Sequence, residues 1–158
     1  MAKNTVKITA YSNIVEELEA NAAITPGHLV ERMSTGKVRV HANAGQNAVP
    51  MFALEDELQG NGIDDDYAAA DQVQCWIPNR GDIVNAILKN GETIVIGDFL
   101  ESAGDGTLQK HAADVDSSND ITSIYPLQIV GQAVAALDLS DSSAVDAVVG
   151  NRLQIRIV

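Results

Sequence analysis

The sequence predicts an all-β fold, mainly strands with one or two short helical turns. Three observations carry this reading. Asn90-Gly91 and Asp105-Gly106 each sit beside apolar runs, and such pairs favour turns whose residues need positive φ. Thr93-Ile94-Val95-Ile96 between them is rich in β-branched residues, as in a strand buried on both faces. The last seven residues alternate, Leu153, Ile155 and Ile157 against Arg152, Gln154 and Arg156. The stretch from Ile83 to Leu108 then reads as an antiparallel meander at the centre of one β-rich domain, with Gly97 as a bulge or a close backbone approach. Many short strands with frequent turns argue for a sandwich or a barrel.

Taken in order, residues 1–13 are polar with a short alternation, Val6 and Ile8 against Lys7 and Thr9. They form either an edge strand or an extended arm that orders on a partner. Asn13 to Ala22 carries two patterns. Asn13 with Glu16 resembles a capping box and Ile14 with Leu18 has helical spacing, yet Val15, Glu17 and Glu19 fit one face of a strand; both stay open, with strand preferred. Pro26-Gly27 is a turn, and His28–Met33 with Lys37–His41 flank Ser34-Thr35-Gly36 as a hairpin. Pro50 to Leu54 and Val73 to Ile77 are short strands, separated by a long acidic loop with a single helical turn at Tyr67–Ala70. Beyond the meander, Ala112 to Asp120 reads as a surface loop, Ile121 to Tyr125 as a short apolar piece, and Leu127 to Leu137 as one strand containing Gly131. Asp138 to Gly150 is a loop in which Ser142 or Ser143 caps one helical turn. A chain that ends on a strand needs a sheet to receive it.

The 158 residues are one domain's worth, and 46% hydrophobic content argues against disorder. With 10 basic and 22 acidic residues the net charge is −12, which repels nucleic acid and anionic membrane surfaces. Cys75 is the only cysteine, so no intrachain disulfide is expected. The N-terminus lacks an apolar signal core and no apolar run is long enough for a membrane helix, which points to a soluble cytoplasmic product.

Chemistry-bearing motifs are sparse. Gly60-Asn61-Gly62 lacks the third glycine of a dinucleotide loop, and Gly36-Lys37 lacks the rest of a P-loop. His28, His41 and His111 have no second histidine or cysteine at metal spacing, so no metal and no cofactor is expected. Cys75 beside Trp76 reads as a small buried hydrophobe rather than a nucleophile. The acidic runs Glu55-Asp56-Glu57, Asp64–Asp66 and Asp114-x-Asp116-x-x-x-Asp120 offer oxygen ligands for a hard cation without following the EF-hand order. They keep open a β-sandwich module that binds calcium or a glycan, and a hydrolase with dispersed carboxylates. No catalytic residue is assigned, and a binding or structural role is the default.

Three stretches resemble the small decoration, or cement, proteins on the capsids of tailed bacteriophages. One is Ala23-Ile24-Thr25-Pro26-Gly27-His28-Leu29-Val30-Glu31. Another is Phe52-Ala53-Leu54-Glu55-Asp56 with Gly60-Asn61-Gly62-Ile63-Asp64-Asp65-Asp66-Tyr67-Ala68-Ala69-Ala70-Asp71-Gln72-Val73. The third is Gly97-Asp98-Phe99-Leu100-Glu101-Ser102-x-Gly104-Asp105-Gly106-Thr107-Leu108, followed by Ile129 to Ala136 and a final Arg-x-Gln-x-Arg strand. Departures are Ala70, where the family often has glycine, and the insertion-like Ala144 to Val149. The resemblance implies a compact β-barrel or jelly-roll-like domain, residues 14–158, with residues 1–13 as an N-terminal arm. It implies a non-enzymatic virion protein, made in the host cytoplasm, that sits on the capsid exterior at junctions between major capsid protein subunits. Its expected partners are the major capsid protein and itself, as a homotrimer or homodimer, with no nucleic acid and no membrane. Val6, Ile8 and Tyr11 are the expected anchors of the arm on the capsid or a neighbouring subunit.

Overall fold

Side-chain alternation decides the layering of this protein. The computed structural model describes residues 4–11, 13–112, 125–141 and 151–158. Their strands are β1 (Lys7–Thr9), β2 (Val15–Glu19), β3 (Val30–Arg32), β4 (Val38–Val40), β5 (Phe52–Ala53), β6 (Gln72–Trp76) and β7 (Ile83–Ile87). They continue with β8 (Thr93–Ile94), β9 (Phe99–Ser102), β10 (Leu108–Lys110), β11 (Ile129–Ala133), β12 (Leu137–Asp138) and β13 (Arg152–Ile157). A 3-10 turn, Glu57–Gln59, lies between β5 and β6. The fold is all-β.

A six-stranded sheet runs β1-β7-β13-β11-β9-β10, and all its strand pairs are antiparallel. The C-terminal alternation works as expected: Leu153, Ile155 and Ile157 enter the core while Arg156 faces solvent. On the same inner face lie Val84, Ala86, Leu100, Leu108, Val130 and Ala133. A three-stranded sheet, β2-β6-β5, covers them with Trp76 and Phe52, both fully buried. Its other face carries Leu18, Ala53, Val73 and Cys75 into a second core closed by Val30 and Val38 of the β3–β4 hairpin. The three-stranded sheet is thus apolar on both faces, which suits a middle layer.

The six-stranded sheet rolls toward closure without completing it. Leu88, just past β7, meets Leu108 of β10 in a single parallel bridge, and Lys89 N–H donates to the Leu108 carbonyl at 2.8 Å. No closed barrel forms among the described residues, because β1 continues the sheet past β7 on the other side. The bend is helped at Gly131, where the β9–β11 register shifts. A Cβ there would lie 2.9 Å from the Arg156 carbonyl.

Several sequence-based expectations change. The meander is real only as the β9–β10 hairpin around Asp105-Gly106; β7 pairs with β1 and β13, and β8 pairs with β12. Thr93–Ile96 is a two-residue strand followed by exposed Val95 and Ile96, so it is not buried on both faces. Gly97 has open space around it and φ +97°. It takes the third position of a turn in which Asp98 N–H donates to the Val95 carbonyl at 3.1 Å, so the need is conformational. The helical turn expected at Tyr67–Ala70 is an isolated bridge and a tight turn, and the helical turn lies instead at Glu57–Gln59, capped by Asp56. Leu127–Leu137 breaks into β11 and β12, which join different sheets. Residues 13–22 contain β2, so the strand pattern prevails over the helical one once β6 offers a partner. Residues 113–124 and 142–150, with the Asp114–Asp120 motif, the Ser142 or Ser143 cap and the Ala144–Val149 stretch, lie outside the described residues.

Candidate binding surfaces

The three expected anchors part company. Val6 is fully buried in the main core. Its N–H points at the Glu55 carboxylate, at 3.1 and 3.3 Å, and its carbonyl accepts the Asn85 N–H at 2.9 Å. Lys7–Thr9 form the edge strand β1, with a register shift between Lys7 and Thr9. Ile8 is half-buried. Tyr11 alone faces solvent, at 83% exposure, while its N–H donates to Asp82 at 2.8 Å. The expected arm is therefore partly a strand of the sheet, pinned at both ends by carboxylates. Period-two alternation groups Val6 with Ile8, but the register shift separates their environments.

Other polar residues meet in ways the sequence does not announce. The β3–β4 hairpin carries Glu31 and ends at His41, which faces Ser102 at the end of β9. His41 Nδ1 lies 2.7 Å from Ser102 Oγ, and Nε2 lies 3.1 Å from the Asn47 carbonyl and 3.6 Å from Glu31. A carbonyl only accepts, so Nε2 carries the proton and Nδ1 accepts from the Ser102 hydroxyl. These are the residue types of a nucleophilic triad. Ser102 is fully buried, however, and its Oγ already accepts the Gly104 N–H at 3.1 Å. No acyl carbon can reach it in this arrangement, which instead ties the hairpin to the main sheet. Cys75 is likewise enclosed, and burial pushes its thiol up to about 12, away from thiolate chemistry.

The acidic loop spends its carboxylates on its own backbone. Asp56 accepts from Gln59 N–H, Asp65 from Gly62 N–H at 2.7 Å, and Asp71 from Ala68 N–H at 2.7 Å. Asp56, Asp66 and Asp71 line an open polar cavity of about 460 Å³. Among the described residues no three His, Cys, Asp or Glu side chains converge to hold a cation. Arg152, with a buried side chain, braces this loop from the end of β13. Its guanidinium donates to the Pro26 carbonyl at 2.6 Å and the Ile63 carbonyl at 2.7 Å.

Surfaces suited to docking are apolar. The β8–β9 turn exposes Val95, Ile96 and Phe99, and Leu58 stands out from the 3-10 turn. Val49 and Leu127 form a third group beside a cavity of about 330 Å³ that is floored by His41. These are chemically plain contacts that fit a protein surface better than a small polar ligand.

No family model matches the chain, and no curated protein matches it. Among solved structures it is similar to the head fiber gp8.5 N base of bacteriophage phi29, with a TM-score of 0.55. The match covers 93% of this chain and 95% of that one, at 13% identity. The two chains share a fold. At that identity the side chains on the two surfaces are largely different, so the shared feature is the arrangement of strands.

Proposed function

We propose that this chain is a structural protein of a phage virion. In this reading it binds the outer surface of an assembled capsid, at junctions between major capsid protein subunits, as a homo-oligomer, and it stabilises the expanded shell without making or breaking a covalent bond. The observation that carries the reading is the fold shared with a phage head fiber base over nearly the whole of both chains. The succession of motifs resembling capsid decoration proteins supports it from an independent direction, as does the inaccessibility of Ser102 and Cys75.

The physical logic is linkage. A ligand that binds only the expanded shell stabilises it by RT ln(1 + [L]/Kd), so occupancy at a hundredfold excess over Kd adds about 2.7 kcal/mol per site. Repetition over the lattice multiplies modest contacts. The net charge of −12 suits an exterior position, since packaged phosphates would repel it inside.

The deciding experiment is co-sedimentation of the purified protein with expanded, undecorated heads. Saturable pelleting, together with a higher temperature of shell disruption, is the expected result. Protein that stays in the supernatant at micromolar excess over heads rules the reading out.

A further inference from the structure

Two surfaces of opposite shape remain unused by the fold. The corner between β8 and β9 holds Val95, Ile96 and Phe99 in solvent, exposed by 55%, 70% and 44%. It is firmly held. Gly97 N–H donates to the Ala133 carbonyl at 2.9 Å, Ala133 N–H returns to the Asp98 carbonyl at 2.8 Å, and the Asp98 carboxylate accepts Val95 N–H at 3.0 Å. Beside it lies exposed Arg156, paired in register with Gln132, whose amide donates to the Gly97 carbonyl at 3.1 Å. Arg156 has no carboxylate at ion-pair distance among the described residues.

The second surface is a cavity of about 200 Å³ between β1, the β2 and β6 strands of the three-stranded sheet, and the 3-10 turn, walled by Val15, Leu54 and Leu58 and bordered by Glu55, Asp56 and Glu57. Leu58 is 91% exposed. Lys7 lines the same cavity, with its Nζ 5.4 Å from the centre of the Trp76 ring and donating to Asn13 Oδ1 at 3.2 Å, and Glu55 and Glu57 act on its charge; three carboxylates against this one cation leave the rim net negative. The cavity has room for one branched side chain such as that of Ile96.

We infer that the Val95–Ile96–Phe99 corner of one copy docks into the Leu58 cavity of a second copy, with Arg156 facing Glu57. This rests on the reading of the chain as a homo-oligomeric virion protein and names the contact that builds the oligomer. Charge complementarity selects this partner. Copies carrying −12 each repel one another, and the contact brings a free cation against the acidic rim while an aliphatic anchor fills the apolar floor. The two surfaces are different patches, so the contact is head-to-tail and closes into a ring when its rotation permits.

Sedimentation equilibrium on the full chain tests this. Ile96→Asp and Leu58→Asp alter only exposed side chains, and unchanged melting temperatures confirm intact folds. Each variant alone is expected to associate about tenfold or more weakly than the original chain. Mixed in equal amounts they are expected to form a dimer, because the first retains a sound cavity and the second a sound corner. Arg156→Glu should weaken association, and adding Glu57→Arg should restore it. A chain that is monomeric at about 100 μM, well above a micromolar Kd, overturns the contact. So does an oligomer indifferent to both Asp variants, which would point to the Val49–Leu127 surface, and so does the absence of a dimer in the mixture. Head binding is scored separately by co-sedimentation of the unaltered chain. A ring that ignores heads leaves the contact standing and removes the capsid reading.

Discussion

Ala70 has φ +74°, the only non-glycine residue among those described to adopt a positive value. It sits third in the turn Ala68–Asp71, closed by Asp71 N–H to the Ala68 carbonyl at 3.2 Å, and its own N–H is committed to the Ala20 carbonyl at 2.9 Å. Those bonds hold an L-residue where its Cβ crowds the backbone, at a cost of about 1–2 kcal/mol. Glycine escapes that strain but is freer when unfolded, so Ala70→Gly should stabilise by about 1 kcal/mol in urea unfolding.

His28 responds to pH for a different cause. Burial holds its imidazole well below the ordinary 6.5, at about 4, against the opposing pull of Asp105 and Asp66, while Arg152 lowers it further. Its Nδ1 accepts the Thr25 N–H at 3.1 Å, which needs the neutral ring. The unfolded chain takes up a proton near 6.5 and the folded chain only near 4, so the folded state loses relative stability as pH falls through that window. The contribution is complete above 6.5 and shrinks by about 2 kcal/mol by pH 5. Urea titrations of the original chain and of His28→Gln at pH 7 and pH 5 should show a smaller pH dependence in the variant.

At the scale of elements, the N-terminal segment shows how far alternation carries. The pattern Val6, Ile8 against Lys7, Thr9 announces a strand, but not whose sheet receives it. The structure gives β1 to β7 and buries Val6 beneath it. Deleting residues 2–13 therefore removes a strand as well as any contact it makes, and loss of head binding in that variant would be ambiguous. Single substitutions separate the two effects. Val6→Ala should cost about 2 kcal/mol of folding stability through lost burial. Tyr11→Ala should cost less than about 0.5 kcal/mol, so a fall in head affinity in that variant would report a contact.

The same limit explains the central stretch. Asn90-Gly91 and Asp105-Gly106 mark turns correctly, and the second closes the β9–β10 hairpin. Turn chemistry is local, however, and the strand leaving Asn90-Gly91 can pair with any edge nearby. Leu137 and Asp138 take it, at positions opposite Ile94 and Thr93, more than forty residues away in sequence.

Over the whole molecule, the chain ends are the keystones. β13, the last strand, lies between β7 and β11 in the middle of the six-stranded sheet. Leu153, Ile155 and Ile157 then fill the main core. A chain truncated before Arg152 would leave two sheet edges unpaired and a void beneath them, and is expected to show no cooperative urea transition. Such long-range pairing also costs loop-closure entropy before it is rewarded, so folding on the millisecond-to-second scale is expected.

What the amino-acid order settled alone is what short-range chemistry can settle: an all-β class from β-branched runs and glycine turns, the inward residues of β13, the hairpin at Ser34–Gly36, and a buried Cys75. Alternation and turn geometry act over a few residues and leave their trace there. Tertiary structure decided which strand lies beside which, that the sheet rolls without closing, that His41 reaches Ser102, and that Val95, Ile96 and Phe99 stay in water. Those outcomes depend on segments far apart in the chain competing for the same edges and the same core volume, and no local pattern encodes which of them wins.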